Sequence, residues 1–533
     1  MESSTDAADP SQSESILDAE STLVAEAQPE GRKNRFATRR ESAGFAKSRK
    51  NREKDTKNVG RRSGRGTRRN DETAKEGSEE ENVDKAPRLP KRQCALLIGF
   101  CGTGCSGMQM CPNVRTIEGV LFEAMVKAGA VSQDNADDPV KVNLGRAART
   151  DAGVHAAGNV VSIKMITDVP DVPDIVSHIN SFLPPEIRLW GYVRVQNSFN
   201  ARVSCDSRKY TYFFPSYLLI PPKPGSGLDQ TLNNLPPSSS ASNAAPVEQP
   251  TSHPFWSELA HADSTKEDDL IRKRKWRVGS EMVEKLREIA KKFEASHNFH
   301  NFTVGRDFSD RSTQRHMKKI EVADPTVYGE TEWISVMFHG QSFMLHQRKM
   351  MSALVLSCRT STPTQIIDEL YGPRQVLVPK MPSLGLLLEH PIFESYNAKI
   401  ARVNDKLSPT DPLYRPPIDF DIYKDAIEQF KQEHIYDRMR DIEDRGGVFD
   451  AWVRSIDAYS GNDLAYLNTK GIIPPSAVIK KGERRANPLK ERRKFDVTSF
   501  SSSGKIDLEI DEEEGEAEQE STLDKAELAE MEG

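Results

Sequence analysis

From residue 93 to residue 397, apolar residues recur with two periods in alternation, near 2 and near 3.6. That pattern admits little besides a sheet with helices packed on it. CALLIGF (94–100) is an apolar run of strand length, and TIEGVLFEAMVKAGA (116–130) is helical, with Thr116 to cap it and Gly129 to stop it. PDIVSHINSFL (173–183) predicts a second helix; IRLWGYVRV (187–195) and RKYTYFF (208–214) predict strands. The order then repeats. A helix over 279–299, capped by Ser280, carries one stripe of Met282, Leu286, Ile289, Ala290 and Phe293. Strands at 316–324 and 332–340, helices at 344–357 and 363–371, and a strand at 384–390 follow. The expected fold class is α+β: two subdomains sharing one sheet covered on one face, with a cleft where they meet.

The rest of the chain does not read as core. Residues 1–30 hold eight acids and no bases, residues 31–70 sixteen bases and three acids, and residues 71–86 seven acids and two lysines. Residues 480–494 add eight bases against two acids, and residues 505–533 thirteen acids against two lysines. The net charge of −6 is therefore a sum of arms that cancel, because residues 87–479 carry 46 bases and 46 acids. The expected organisation is a charged disordered tail (1–86), an N-terminal catalytic subdomain (87–218), a low-complexity insertion with a basic patch (219–278), a C-terminal catalytic subdomain (279–399), a helical extension (400–479), and a basic then acidic tail (480–533). The acidic N-terminus lacks the apolar stretch of a signal peptide. No run approaches the ~20 apolar residues of a membrane span. A soluble intracellular protein with no membrane partner is expected. Dense basic blocks are usually interaction tails, here a nuclear address or an RNA contact. The spacing of Cys94, Cys101, Cys105 and Cys111 lacks the paired short loops of zinc sites, and no metal is expected.

GRAARTDAGVHAAGNV (145–160) sets an aspartate in a glycine-containing turn between two β segments. Two readings stand at this point. Asp151 presents its carboxylate at a cleft rim, with the nearby Arg149 cation keeping it ionised, or it is a turn aspartate bonded to its own backbone.

R-T-D-A-G-V-H (149–155) resembles the catalytic signature of the TruA family of pseudouridine synthases. GFCGTGCSGMQ (99–109), SFNARVSCDSRKYTYFF (198–214), HNFHNFT (297–303), GQSFMLHQ (340–347) and LGLLLEHPIFESYN (384–397) resemble, in order, further motifs of its eukaryotic transfer RNA branch. The resemblance implies two ferredoxin-like subdomains sharing a mixed, mostly antiparallel sheet with a central catalytic cleft. It implies an isomerase that breaks the N1–C1′ bond of uridine and joins C1′ to C5, a redox-neutral rearrangement needing no cofactor or metal. By the same resemblance Asp151 is the nucleophile, Arg149 keeps it charged and helps displace the target base, and Tyr210 stacks on the flipped uracil and moves the C5 proton. Arg146, His155, Phe343, His346 and Arg348 are the implied substrate-binding residues.

The substrate implied is transfer RNA, with small nuclear and messenger RNA as further candidates, in the nucleus. Oligomeric state stays open, the monomer favoured. The alternative on the same scaffold is a non-catalytic transfer RNA-binding or RNA-folding protein.

Two positions depart from the family pattern. Cys105 and Ser106 stand where Tyr-His usually precedes Gly-Met-Gln, and His346-Gln347-Arg348 lacks the aliphatic residue usual before the arginine. In a helix that deletion turns Arg348 by about 100° relative to Phe343 and His346, with Lys349 as the substitute. IRKRKWR (271–277), with Trp276 interleaved, is the densest basic patch of the core and reads equally as an RNA surface or a solvated helix entry.

Overall fold

In the computed structural model, residues 89–234, 253–257 and 265–483 are described. The expectations for 1–86, for 484–533 and for the Pro/Ser-rich 235–252 lie outside these residues. The strands are β1 (Lys91–Phe100), β2 (Gly145–Arg146), β3 (His155–Ile166), β4 (Ile187–Arg194), β5 (Ser207–Pro215), β6 (Ala295–Asn298), β7 (Gln314–Val322), β8 (Thr326–Tyr328), β9 (Thr331–Gly340) and β10 (Leu386–Ile392). They form one sheet in the order β4-β1-β3-β10-β5-β9-β7-β6, with β2 on β3 and β8 on β9. Among these strands β10 and β3 run parallel, and the other pairs are antiparallel.

The two halves interlock. β5, from the first half, lies between β10 and β9, and β10, the last strand, lies between β3 and β5. The sheet is covered on both faces rather than one. On one side Leu96, Ile98 and Phe100 pack with Leu121, Met125 and Ile179 of the helices Ile117–Lys127 and Ile175–Phe182. On the other, Ala95, Leu97 and Val160 pack with Phe199, Phe393, Tyr396 and Ile418. Burial on both faces is why β1 reads as a continuous apolar run instead of an alternation.

Of the two N-caps expected from sequence, one is made and one is not. Thr116 accepts from Gly119 N–H at 3.2 Å and caps the first helix as expected. The helix Ser280–Lys291 has Gly279 at its N-cap and no side-chain cap, so Ser280 lies inside the first turn.

The expected insertion is not all low in complexity. Phe255 and Trp256 are buried in the second-half core, and Lys266–Lys275 is a helix closed by a Thr265/Asp268 capping box. Part of the basic patch is taken up by packing. Lys273 donates to Asp450 at 2.7 Å, and both are buried. Arg274 donates to the carbonyls of Glu443 and Asp444, and Arg277 to that of Glu330. Lys273 and Arg274 fasten the C-terminal extension, while Lys275 and Arg277 stay exposed.

That extension, with helices Lys424–Phe430, Asp437–Gly446 and Val448–Asp457, places Phe449, Trp452 and Ile456 in the same core as Tyr212 and Phe214 of β5. Under it Glu443 is fully buried, receiving the Tyr217 hydroxyl and, at 2.9 Å, the Phe449 N–H. Burial lifts its carboxyl from 4.5 to about 7. The folded chain therefore keeps a proton that the unfolded chain releases near 4.5. This contribution to stability is full below that pH and is lost as pH rises through about 7. Glu443→Gln keeps one acceptor and gains a donor for the same two partners. Its urea midpoint is expected to change less than the wild type's between about pH 5 and about pH 8. Equal slopes in the two proteins would contradict this.

Candidate active site

The segment bearing Asp151 is built by pairing, then freed by a turn. β2 pairs with β3 through Gly145–Ser162 and Arg146–Val161, and Ala147 N–H continues the ladder to Val160 O at 2.8 Å. Beyond it the buried Asn159 side chain takes the place of a strand partner. Its Oδ1 accepts from Ala148 N–H at 3.3 Å and its Nδ2 donates to Ala148 O at 3.0 Å. The chain then leaves the sheet through Arg149 and Thr150. At Asp151 a turn closes, with Val154 N–H donating to Asp151 O at 3.2 Å and Gly153 at φ +76° in its third position. Positive φ there is what a type II turn demands, which is why glycine follows the aspartate by two.

A second loop backs the turn. Met108 N–H donates to Thr150 O at 3.1 Å, Gly153 N–H to Cys105 O at 3.3 Å, and Gly102 N–H to His155 Nδ1 at 3.1 Å. Gly107, at φ +88°, approaches so closely that a Cβ would lie 2.8 Å from Thr150 O. The loop makes these contacts through its backbone: Cys105 is buried and lends its carbonyl, while Ser106 is exposed.

Arg149, Asp151, Tyr210, Phe343, His346 and Arg348 line one cavity. Tyr210 comes from the middle of the sheet, opposite Leu388 of β10 and Phe338 of β9. Its ring meets Phe343 edge to face at 4.7 Å. Burial pushes its phenol up to about 12, with the Arg208 cation opposing.

The segment before the helix Lys349–Arg359 is a turn, not a helix, so the 100° rotation does not arise. His346 takes φ +58° within it, and Arg348 sits at the N-cap of the helix that follows. The shortened motif still brings Arg348 to the cavity that holds Asp151. Lys349 donates to Thr303 O at 3.0 Å. Burial, then the cations Lys380, Arg348 and Lys349, hold the His346 imidazole well below its usual pKa, so at neutral pH it is uncharged.

Two expected substrate-binding residues, Arg146 and His155, are not among the residues lining the cavity. Arg146 ion-pairs with the buried Glu118, whose other oxygen accepts Met110 N–H at 3.0 Å. His155 is buried and holds the 102–108 loop. Both support the turn. Arg208, Thr150 and Gln347 line the cavity and were not singled out from sequence. A signal for Arg208 existed: it stands two residues before Tyr210 on a strand, hence on the same face. Gln347 spends its amide on packing, accepting Met344 N–H at 2.7 Å and donating to the sulfurs of Met317 and Met350.

Charge in the cavity is biased. Three arginines, Arg149, Arg208 and Arg348, face one carboxylate, Asp151, although the core as a whole is neutral. Such a pocket suits an anionic ligand and one nucleophilic carboxylate. Among the described residues no cluster of three His, Cys, Asp or Glu is arranged to hold a metal ion.

Residues 289–394 match a family model described as tRNA pseudouridine synthase. The protein called tRNA pseudouridine synthase 1 in Eremothecium gossypii is 41% identical over 414 residues, covering 71% of this chain and 75% of that protein. The protein of that name in Saccharomyces cerevisiae is 38% identical over 493 residues, covering 80% and 87%. The tRNA pseudouridine(27/28) synthase of Saccharomyces cerevisiae is 33% identical over 381 residues, covering 68% of this chain and 98% of that protein.

Proposed function

This chain belongs to the TruA family of tRNA pseudouridine synthases, and on that premise we propose that its cavity isomerises uridine in transfer RNA with Asp151 as nucleophile. The reaction class is an intramolecular transfer: N1–C1′ breaks, C1′–C5 forms, and the C5 proton is exchanged for one on N1. The observation that carries the residue assignment is the convergence of Asp151, Arg149, Tyr210 and Arg348 on one cavity from three separate parts of the chain.

In this reading Asp151 forms the covalent bond to substrate that lets the glycosidic bond break. Arg149 and Arg348, which line the same cavity, meet the phosphates of the everted nucleotide. Tyr210, buried beside Phe343, offers a ring face to the flipped uracil and an oxygen to its C5 proton. Purified full-length protein incubated with transfer RNA carrying tritium on uracil C5 is expected to release tritium to water without added nucleotide. Absence of release overturns the reading.

Small nuclear or messenger RNA with a matching fold is a further substrate of this reading, since a stand-alone enzyme selects by RNA shape. The basic segments 31–70 and 480–494 support an address in the nucleus. Fused separately to a fluorescent reporter, at least one is expected to carry it into the nucleus. Cytoplasmic signal from both fusions would remove the proposal.

A further inference from the structure

Arg208 is an unusual buried cation. It is 3% exposed and points into the cavity wall beside Tyr210. Its Nε and Nη2 donate to Ala147 O at 3.1 and 2.6 Å, and its Nη1 donates to Gln341 O at 3.0 Å. Ala147 leads into the Asp151 turn and Gln341 follows β9, so one guanidinium is fixed by both halves of the molecule. Its hydrogen-bond partners are neutral carbonyls. Among the described residues no carboxylate stands within ion-pair distance of it. A buried charge satisfied by dipoles but not neutralised is costly, and it favours any negative charge that forms nearby. Among the residues lining the cavity, Asp151 and Tyr210 are the two that can carry negative charge.

We propose that Arg208 is a positioning residue for the proton-transfer step: its fixed charge supports phenolate character on Tyr210 while the Tyr210 oxygen removes the proton from C5. This deepens the function proposed above and rests on it. Once C1′ is bonded to C5, that carbon still carries its hydrogen and the ring holds a C6=N1 double bond. Tyr210 first releases its phenolic proton to water; the phenolate oxygen then takes the C5 proton, the C–H electron pair forms C5=C6, and the C6=N1 pair moves onto N1. N1 binds the proton released to water and Tyr210 ends as the phenol it began as, so charge and atoms balance. The obstacle is the buried phenol, whose burial disfavours the anion. The Arg208 cation opposes the effect of that burial. The strand makes the arrangement dependable, since residues two apart on β5 share a face and cannot be separated without breaking its pairing with β9 and β10.

The test uses the full-length protein and transfer RNA carrying either hydrogen or deuterium at uracil C5. Arg208→Gln is expected to lower kcat by about 10²-fold, the lower range of a general-base contribution. Its deuterium isotope effect on kcat is expected to exceed the wild type's, because proton removal becomes the slow step. Arg208→Lys, which restores a charge without the fixed fork, is expected to fall between the two in both rate and isotope effect. A purely structural role lowers the rate and leaves the isotope effect where it was, and that result in a folded variant overturns the proposal. If Arg208→Gln does not fold, Arg208→Lys supplies the same readout: an isotope effect equal to the wild type's overturns it. Wild-type protein that releases nothing from C5 defeats the parent reading itself, whereas active wild type with unchanged isotope effects in the variants defeats this inference alone.

Discussion

Asp151→Asn is expected to lose uridine isomerisation by about 10⁴-fold or more, the scale seen when a covalent nucleophile is removed, while still binding transfer RNA about as well as the wild type. Asparagine matches aspartate in shape and keeps an oxygen for the turn, so Asp151–Val154 and its glycine partner need not move. It removes one negative charge from a cavity that holds Arg149, Arg208 and Arg348. Binding should therefore survive, since contact with phosphate rests on those cations. The two measurements separate two accounts of the scaffold. An enzyme loses turnover and keeps affinity; a transfer RNA-binding protein without chemistry shows the same low turnover in wild type and variant. The shortened motif before Arg348 was the reason to weigh the second account. With Arg348 lining the cavity that holds Asp151, that reason is gone.

Arg359→Ala is expected to cost about 3–5 kcal/mol of folding stability, the usual result of leaving one partner of a buried ion pair behind. Arg359, 2% exposed at the end of the helix Lys349–Arg359, makes a two-pronged pair with Asp457 at 2.7 and 3.1 Å and donates its Nε to Ile220 O at 2.9 Å. It joins the helix behind Arg348 to the last helix of the C-terminal extension. Urea unfolding reads the loss. Replacing both partners, as Arg359→Met with Asp457→Leu, is expected to recover much of it, because no charge is then stranded in the core. A single variant as stable as the wild type would show that the extension does not depend on this pair.

The elements near the site were legible in the sequence for specific physical reasons. β5 alternates through Tyr210 and Tyr212, and the first helix carries both its cap at Thr116 and its stop at Gly129. The aspartate turn was legible because glycine at Gly153 has a backbone reason to be there. What the sequence hid was long range. Nothing local says that β10 inserts between β3 and β5, although that insertion sets Leu388 beside Tyr210. Nothing local separates the arginine that lines the cavity, Arg149, from the one that does not, Arg146. The difference is Glu118, buried on a helix nearly thirty positions earlier. In the basic patch at 271–277 the sequence likewise hid that Lys273 and Arg274 are answered by Asp450 and by carbonyls in an extension some 170 residues away. Periodicity also overreached at 344–348, where it extended the following helix backwards over residues that His346 bends into a turn.

The central claim is that this cavity makes pseudouridine through Asp151. Base-resolved mapping of pseudouridine in one unmodified transfer RNA preparation, incubated in parallel with wild type and with Asp151→Asn, tests it most directly. The account predicts defined new pseudouridine positions after wild type and none after the variant. New positions after both proteins, or after neither, would contradict it.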